Sequence, residues 1–373
     1  MRLRPVESAD PGAVRDALPA ALDGSRPLAL GFDPAPDDIV PEGTAVVIST
    51  SGSSGVPKRV VLSAAALRAS ATATAARIGS GQWMLALPAA YIAGVQVLGR
   101  SLLAGHEPVL LDGRFTVERF VDATERMRDD VHRLTSFVPA QLATLLDAAE
   151  SRPEVRVALG SYRTILVGGQ ALPEPLRARA VAAGARIART YGSSETAGGC
   201  VYDGIALDGV RLAEVGGEVR ISGPTLADGY LGDHALSADA FTTDADGVRW
   251  YRTGDAGTVG EDGRLAVTGR IDNVIVSGGI NVSLDRVERV VRGIPELEQA
   301  VVVGVPDERW GEASVIFADV AADDARRLLD DARARVEFEI GRHARPARLE
   351  TGKVPLLASG KPDRQALRRR ARD

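Results

Sequence analysis

A chain of 373 residues with 45% hydrophobic and 25% charged side chains has room for two domains and enough apolar material for a buried core, which excludes extended disorder. The formal charge of −5 excludes a general affinity for nucleic acid, and the locally basic stretch Arg364 to Arg372 reads as a solvated helix end. A single cysteine, Cys200, and four histidines exclude an internal disulfide and an imidazole-based metal site; no export signal or bilayer-spanning run is present, so the expected setting is the reducing cytoplasm.

Strand-like runs at Thr44–Ser49, Trp83–Leu87, Glu107–Leu111, Thr164–Val167 and Ala185–Arg189 alternate with helical stretches at Ser63–Arg77, Val117–Arg128, Pro139–Ala149 and Pro173–Ala183. Each helical stretch opens on a Ser, Thr or Pro signal, and the alternation predicts helix-covered parallel or mixed sheets. From about Glu214 to Arg270 the texture changes to short strands broken at Asp228-Gly229, Asp246-Gly247 and Asp262-Gly263, which predicts a β-rich subdomain. After Asp272 come a strand at Val274–Val276, a glycine pair, a helix at Ser283–Arg292, strands at Gln299–Val305 and Ser314–Val320, and a helix at Ala322–Ile340, a separate α+β unit of about a hundred residues.

The strongest local signal is Thr50-Ser51-Gly52-Ser53-Ser54-Gly55 with Lys58, directly after the apolar run Val46–Ile48. Between a strand and a helix, such a loop offers backbone N–H and hydroxyl groups to phosphate oxygens, and Lys58 adds a positive charge. It is not a Walker loop, since no Gly-Lys-Ser/Thr follows at the required spacing. In Val167-Gly168-Gly169-Gln170-Ala171 the glycines after a strand let the backbone lie flat against a ring, and the plain alternative is a tight strand-to-helix turn.

Further segments follow in order: Tyr191-Gly192-Ser193-Ser194-Glu195-Thr196, Tyr251-Arg252-Thr253-Gly254-Asp255, Gly269-Arg270-Ile271-Asp272, Ser277-Gly278-Gly279-Ile280-Asn281 and Gly360-Lys361-Pro362-Asp363-Arg364. Each alone is a modest signal. Together and in this order they resemble the acyl-adenylate-forming (AMP-binding) enzymes, a family that includes acyl-CoA ligases, peptide-synthetase adenylation domains and beetle luciferases. The resemblance implies an α/β fold: a large domain over residues 1–271, shortened at its N-terminus relative to the family, and a small mobile domain over 272–373 with its hinge at Asp272.

Activity and site residues follow from the same resemblance. The family joins a carboxylic acid to the α-phosphate of ATP and passes the acyl group to the thiol of coenzyme A, so ATP, Mg²⁺ and coenzyme A are the implied cofactors and partners. Two anions must meet, and the chemistry needs positive charge and a hard cation. Glu195 and Thr50 are the expected magnesium and catalytic residues, a carboxylate with an oxygen donor suiting that ion. Lys361 is the expected bridge between acyl carboxylate and α-phosphate. The nucleotide is expected on Thr50, Ser51, Gly52, Ser53, Ser54, Gly55, Lys58, Gly169, Gln170, Ala171, Tyr191, Gly192, Ser193, Ser194, Thr196, Asp255 and Arg270, with Asp255 on the ribose hydroxyls and Tyr191 stacked on adenine. Gly278 and Gly279 are expected to line the pantetheine channel.

Within the family, the shortened N-terminus and the segment Glu195 to Gly204 are most similar to the branch that activates o-succinylbenzoate in menaquinone biosynthesis, in its short actinobacterial form. The acyl pocket is then expected at Tyr91, Gly94, Ser194, Gly198 and Gly199, where Tyr91 stands at the family's usual histidine. The sequence leaves open another acid, transfer to a carrier protein instead of coenzyme A, and a non-catalytic AMP-binding module; it is compatible with a homodimer without determining one.

Overall fold

The computed structural model describes residues 1–50, 57–111, 113–357 and 360–371, and these form four sheets. The first is centred on Thr44–Thr50, whose Ala45, Val46, Val47 and Ile48 are fully buried. Leu28–Leu30 pairs with it in parallel, and Lys58–Ser63 in antiparallel with Thr50 opposite Lys58. The expected phosphate loop therefore leaves one strand and returns into another; the helix Ala64–Ile78 starts only after Ser63, whose hydroxyl accepts from the Ala66 N–H and caps it. The expectation of a loop between strand and helix missed the intervening strand because Lys58 and Arg59 head an otherwise apolar run.

The second sheet has five parallel strands in the spatial order Val109–Leu110, Gln82–Leu85, Arg133–Phe137, Thr164–Val167 and Ile187–Ser193. Gly198–Tyr202 and Ile205–Ala206 extend it in antiparallel. Helices Ile92–Leu103, Val117–Glu125, Pro139–Ala149, Pro153–Ser161 and Glu174–Ala182 cover it, and one of its two cores is pinned by Phe120, which packs edge-on to Phe137 at 5.8 Å and stacks on Tyr162 at 5.9 Å. Parallel strands point all their C-terminal ends one way, so the turns at 88–91, 138, 168–170 and 193–195 lie along one rim, the place where open α/β sheets bind ligands.

A third, antiparallel sheet combines Arg211–Val215, Glu218–Ser222, Arg249–Val259, Phe241–Thr243 and Leu265–Arg270. Asp246-Gly247 and Asp262-Gly263 turn the chain here as expected, but Asp228-Gly229 does not. Gly229–Tyr230 is a short strand of the first sheet, paired with Val61 and Val60, a non-local partnership that a turn-like dipeptide conceals. The fourth sheet is built from residues 274–351: Ile280–Ser283, Val274–Ser277, Gly311–Ala318, Val301–Asp307 and, in parallel, Arg348–Thr351. Helices Leu284–Val291 and Ala325–Glu339 close one face, while Leu367 of Arg364–Arg370 packs on Val301, Val303 and Phe317 at the other. Among the described residues no helix is long and apolar enough to cross a membrane.

Candidate active site

Ile187–Ser193 runs out of the parallel sheet and turns through a single 3-10 turn, Ser194–Thr196, before returning as Gly198–Tyr202. The two strands lie so close that a Cβ on Gly192 would sit 2.2 Å from the Gly198 carbonyl oxygen, which requires glycine there. Thr196 is fully buried; its hydroxyl bonds the Gly198 carbonyl at 2.8 Å and receives the Ser193 N–H at 2.9 Å. It braces the turn and has no face left for a nucleotide, contrary to the expectation from sequence. Ser193 and Ser194 are half-buried on the same turn.

This turn presents Glu195. The residue is 8% exposed, and the Tyr230 hydroxyl donates to Oε1 at 2.9 Å, which fixes the side chain while leaving Oε2 for another partner. Burial, then the Glu195 charge, pushes the Tyr230 phenol pKa up, so Tyr230 remains a donor. Magnesium commonly takes one or two carboxylates and completes its shell with phosphates and water, so a single held carboxylate is a fitting donor for it. Among the described residues no cluster of three or more His, Cys, Asp or Glu offers an all-protein cage. Thr50 ends the central strand of the first sheet and donates to the Lys58 carbonyl at 3.3 Å; Lys58 Nζ lies over the Tyr230 ring, 5.4 Å from its centre. The expected binders Ser51, Gly52, Ser53, Ser54 and Gly55 lie outside the described residues.

The ribose-binding candidates meet between the second and third sheets. Tyr191 Oη donates to Asp255 Oδ2 at 2.6 Å, and Arg270 Nη1 reaches Asp255 Oδ1 at 3.3 Å and the Thr253 carbonyl at 2.7 Å. Burial holds the Asp255 pKa above the usual carboxylate range; its bonds to Tyr191 and Arg270 oppose that rise without cancelling it. Arg270 is also forked onto Asp272, at 3.0 and 3.1 Å, which raises the guanidinium pKa and lowers that of Asp272. The guanidinium thus joins the ribose candidate to the residue expected to be the hinge, and its backbone N–H is held by Asp285 at 2.7 Å.

Lys361 enters this cleft from the far end of the chain. Its Cε lies 3.7 Å from the position of a Cβ on Gly169, and the Gln170 amide donates to the Gly360 carbonyl at 3.4 Å. Ala171 follows in the same turn. Lys361 as a whole residue is exposed, yet the protein around its ammonium depresses its pKa by desolvation, against the opposing charges of Glu195 and Asp255. A lysine answering to both carboxylates can meet two anions brought between them.

The acyl-pocket candidates divide. A cleft of about 350 Å³ is lined by Ser49, Thr50, Pro57, Pro88, Ala90 and Tyr91, so Tyr91 walls a space that begins at the end of the phosphate strand. Gly94 is buried where its helix leans on the Pro88 carbonyl, and Gly198 faces Gln96 and Ile92. Gly199 packs on Thr190 and Tyr202. Gly278 and Gly279, with φ of 59° and 80°, make the two-residue turn of the hairpin Val274–Ser277 and Ile280–Ser283. The turn is exposed and packs on Trp310, and the structure does not bring it to Lys361. Cys200, fully buried with its thiol pushed up to about 12, is no nucleophile.

Sequence reasoning missed three residues. Tyr230 orients Glu195, and Gln96 donates to the Ala197 carbonyl at 2.8 Å beneath the turn. Arg100, one turn further along the same helix, is 7% exposed, lies 5.3 Å over the Trp83 ring and has a buried Nε without a hydrogen-bond partner among the described residues. Burial draws its pKa down, and the Tyr202 hydroxyl beside it is the main opposing influence. The available signal was an arginine within Val95-Gln96-Val97-Leu98-Gly99-Arg100, where a helix facing water would carry charges on one side only.

Comparisons with known proteins agree with this geometry. The AMP-binding enzyme family matches residues 4–216, and its C-terminal domain matches residues 286–361. A probable 2-succinylbenzoate–CoA ligase of Mycobacterium tuberculosis is 40% identical over 338 residues, covering 89% of this chain and 85% of that protein. The o-succinylbenzoate CoA synthetase of Bacillus subtilis, solved with its acyl-adenylate intermediate, is 25% identical with a TM-score of 0.72, over 96% of this chain and 81% of that one; the same enzyme with ATP and magnesium ion aligns at 25% identity and a TM-score of 0.71, over 95% and 81%. The amide bond synthetase of Marinactinospora thermotolerans is 27% identical with a TM-score of 0.76, over 98% and 84%. On the family match and the 40% relative, the chain belongs to the AMP-binding enzyme family.

Proposed function

We propose that this protein is a 2-succinylbenzoate–CoA ligase of menaquinone biosynthesis, working through an acyl-adenylate. The observation that carries the reading is the seating of Lys361 on the rim of the second sheet, its Cε 3.7 Å from the position of a Cβ on Gly169 and Gly360 held by the Gln170 amide, where its ammonium feels the charges of Glu195 and Asp255. In the first step a carboxylate oxygen of the acid attacks the α-phosphorus of ATP, an O–P bond forms, and pyrophosphate leaves. Lys361 holds the two approaching anions together and offsets the charge that develops between them. Asp255 accepts both ribose hydroxyls, which a carboxylate can do at once, and Tyr191 and Arg270 hold it in place. When bound on Glu195 with the Thr50 hydroxyl near the phosphates, Mg²⁺ neutralises phosphate charge. In the second step the coenzyme A sulfur attacks the acyl carbon, the bond to AMP breaks, and the thiol proton passes to solvent. For that step we assign a pivot at Asp272, which withdraws Lys361 and brings the Gly278–Gly279 turn to the pantetheine arm.

The substrate assignment rests on the relatives and on Arg100. A guanidinium buried without a carboxylate partner among the described residues is costly in isolation, and a second, unreacting carboxylate on the substrate offsets that cost. Arg100 lies on the helix Ile92–Leu103, whose N-cap Tyr91 walls the proposed acyl pocket. Pyrophosphate release with o-succinylbenzoate, benzoate and 4-phenylbutyrate tests the reading. The first acid should react far faster, since leaving a buried charged group unpaired costs on the order of 1–3 kcal/mol or more. A preference for benzoate or for a medium-chain fatty acid contradicts the substrate and leaves the ligase chemistry standing.

A further inference from the structure

The active-site lysine stands on a short loop, and something must hold that loop at the right height. Gly360 donates its N–H to the Leu357 carbonyl at 2.9 Å, the Leu357 N–H returns to the Lys361 carbonyl at 2.8 Å, and the Asp363 N–H reaches the Pro355 carbonyl at 2.8 Å. These bonds close the loop on itself but do not tie it to the fourth sheet. Val354 and Leu367 pack the segments on either side of it onto the sheet, and the polar tie nearer the lysine is Arg364, three residues past it. Its Nη2 reaches both oxygens of Glu288, at 2.9 and 2.7 Å, and its Nη1 donates to the Val302 carbonyl at 2.7 Å.

Glu288 is an unusual anchor. It lies on the helix Leu284–Val291, is 8% exposed, and accepts the Val302 N–H at 2.9 Å. Val301–Asp307 is an edge strand, so Glu288 and Arg364 together satisfy the outward N–H and C=O of Val302 that pairing with a further strand would have used. Arg292, also 8% exposed, stands 3.6 Å from the same carboxylate. A buried carboxylate bound to two arginines and a backbone N–H has one geometry open to it, and Arg364 inherits that rigidity.

We propose that Glu288 and Arg364 are positioning residues for adenylation, acting through Lys361 by fixing the base of its loop to the edge of the fourth sheet. This rests on the reading of Lys361 given above. Neither side chain touches substrate. A misplacement of about 1 Å at a charge-stabilising group is enough to cost on the order of a hundredfold in rate, so loosening the base of the loop should register in the step that uses Lys361 and only there.

The test is a double-mutant cycle on the full chain. Arg364→Met leaves Glu288 with Arg292 and the Val302 N–H, so no naked carboxylate is stranded in the core, and Arg364→Lys keeps the charge while losing the second nitrogen that serves the Val302 carbonyl. Single-turnover acyl-AMP formation, thioester formation from supplied acyl-adenylate, and the melting temperature are measured for each, alone and with Lys361→Ala. Adenylation in Arg364→Met should fall about tenfold or more, with partial recovery in Arg364→Lys and thioester formation within about twofold of the parent. In the Lys361→Ala background Arg364→Met should cost nothing further. Equal losses in both half-reactions, or a full multiplicative loss in the Lys361→Ala background, overturn the proposal in favour of a purely structural pair. Unchanged adenylation in Lys361→Ala alone overturns the reading of the cleft and the proposal with it. Should Arg364→Met fail to fold, Arg364→Lys decides the point by the same half-reaction split.

Discussion

The two sides of the cleft are held in different ways. On one side Tyr191, Asp255, Arg270, Glu195 and Tyr230 are locked by short bonds to each other and to strands of the second and third sheets. On the other, among the described residues Lys361 and its neighbour meet that floor through a 3.4 Å amide bond at Gly360, the packing of Gly360 on Val138 and the approach of Lys361 Cε to Gly169. The difference matches the use each charge has. On the proposed roles the ribose stays bound through both half-reactions, which suits a preorganised acceptor, whereas negative charge between carboxylate and α-phosphate builds up in one step only. A cation needed for one step and in the way of the next is better delivered on a lightly held loop than built into a sheet.

The comparison can be broken most severely by freezing the mobile side. Proline at position 272 fixes φ at the proposed pivot, so Asp272→Pro should retain adenylation and lose thioester formation by about a hundredfold or more. Full overall turnover in that variant would place the pivot elsewhere. The fixed side should respond differently. Asp255→Ala removes a charged acceptor, worth about 1.5–3 kcal/mol, and should weaken ATP and acyl-adenylate binding alike by about ten- to a hundredfold. Loss confined to one half-reaction would contradict a ribose role for it.

The smallest effect is a pH limb. Burial lowers the Lys361 pKa, so the ammonium is lost at a lower pH than an ordinary lysine would lose it. Adenylation should therefore decline on the alkaline side before free lysine titrates, by at most tenfold per pH unit, and thioester formation from supplied acyl-adenylate should not share that limb. An identical alkaline limb in both half-reactions would show that another group is titrating.

Much of this cleft is legible in the sequence because its residues sit in short, glycine-bounded segments of uneven composition. Tyr191 to Thr196, Thr253 to Asp255 and Gly360 to Lys361 each break an otherwise apolar or helical texture. The layout of helix-covered sheets, a β-rich third sheet and a late α+β unit follows from periodicity in the same way. What escapes is whatever depends on partners distant in sequence. Tyr230 follows an Asp-Gly pair that looks like a turn, and only pairing with Val60 and Val61 makes it a strand residue beneath Glu195. Arg100 looks like one more charge on a helix until the sheet buries it, and Thr196 looks like a nucleotide contact until its hydroxyl is seen bracing its own turn. Glu288 and Arg364 are 76 residues apart, and nothing local in either segment announces the other.

The central claim is that Lys361 is a delivered charge serving adenylation alone, and single-turnover kinetics of Lys361→Ala tests it most directly. With o-succinylbenzoate and ATP, acyl-AMP formation should fall by a factor of about a hundred to a thousand, in line with the roughly 3–4 kcal/mol that one preorganised charge-stabilising group supplies, while thioester formation from supplied acyl-adenylate should proceed near the parent rate. An equal loss in both half-reactions, or no loss in the first, contradicts the account.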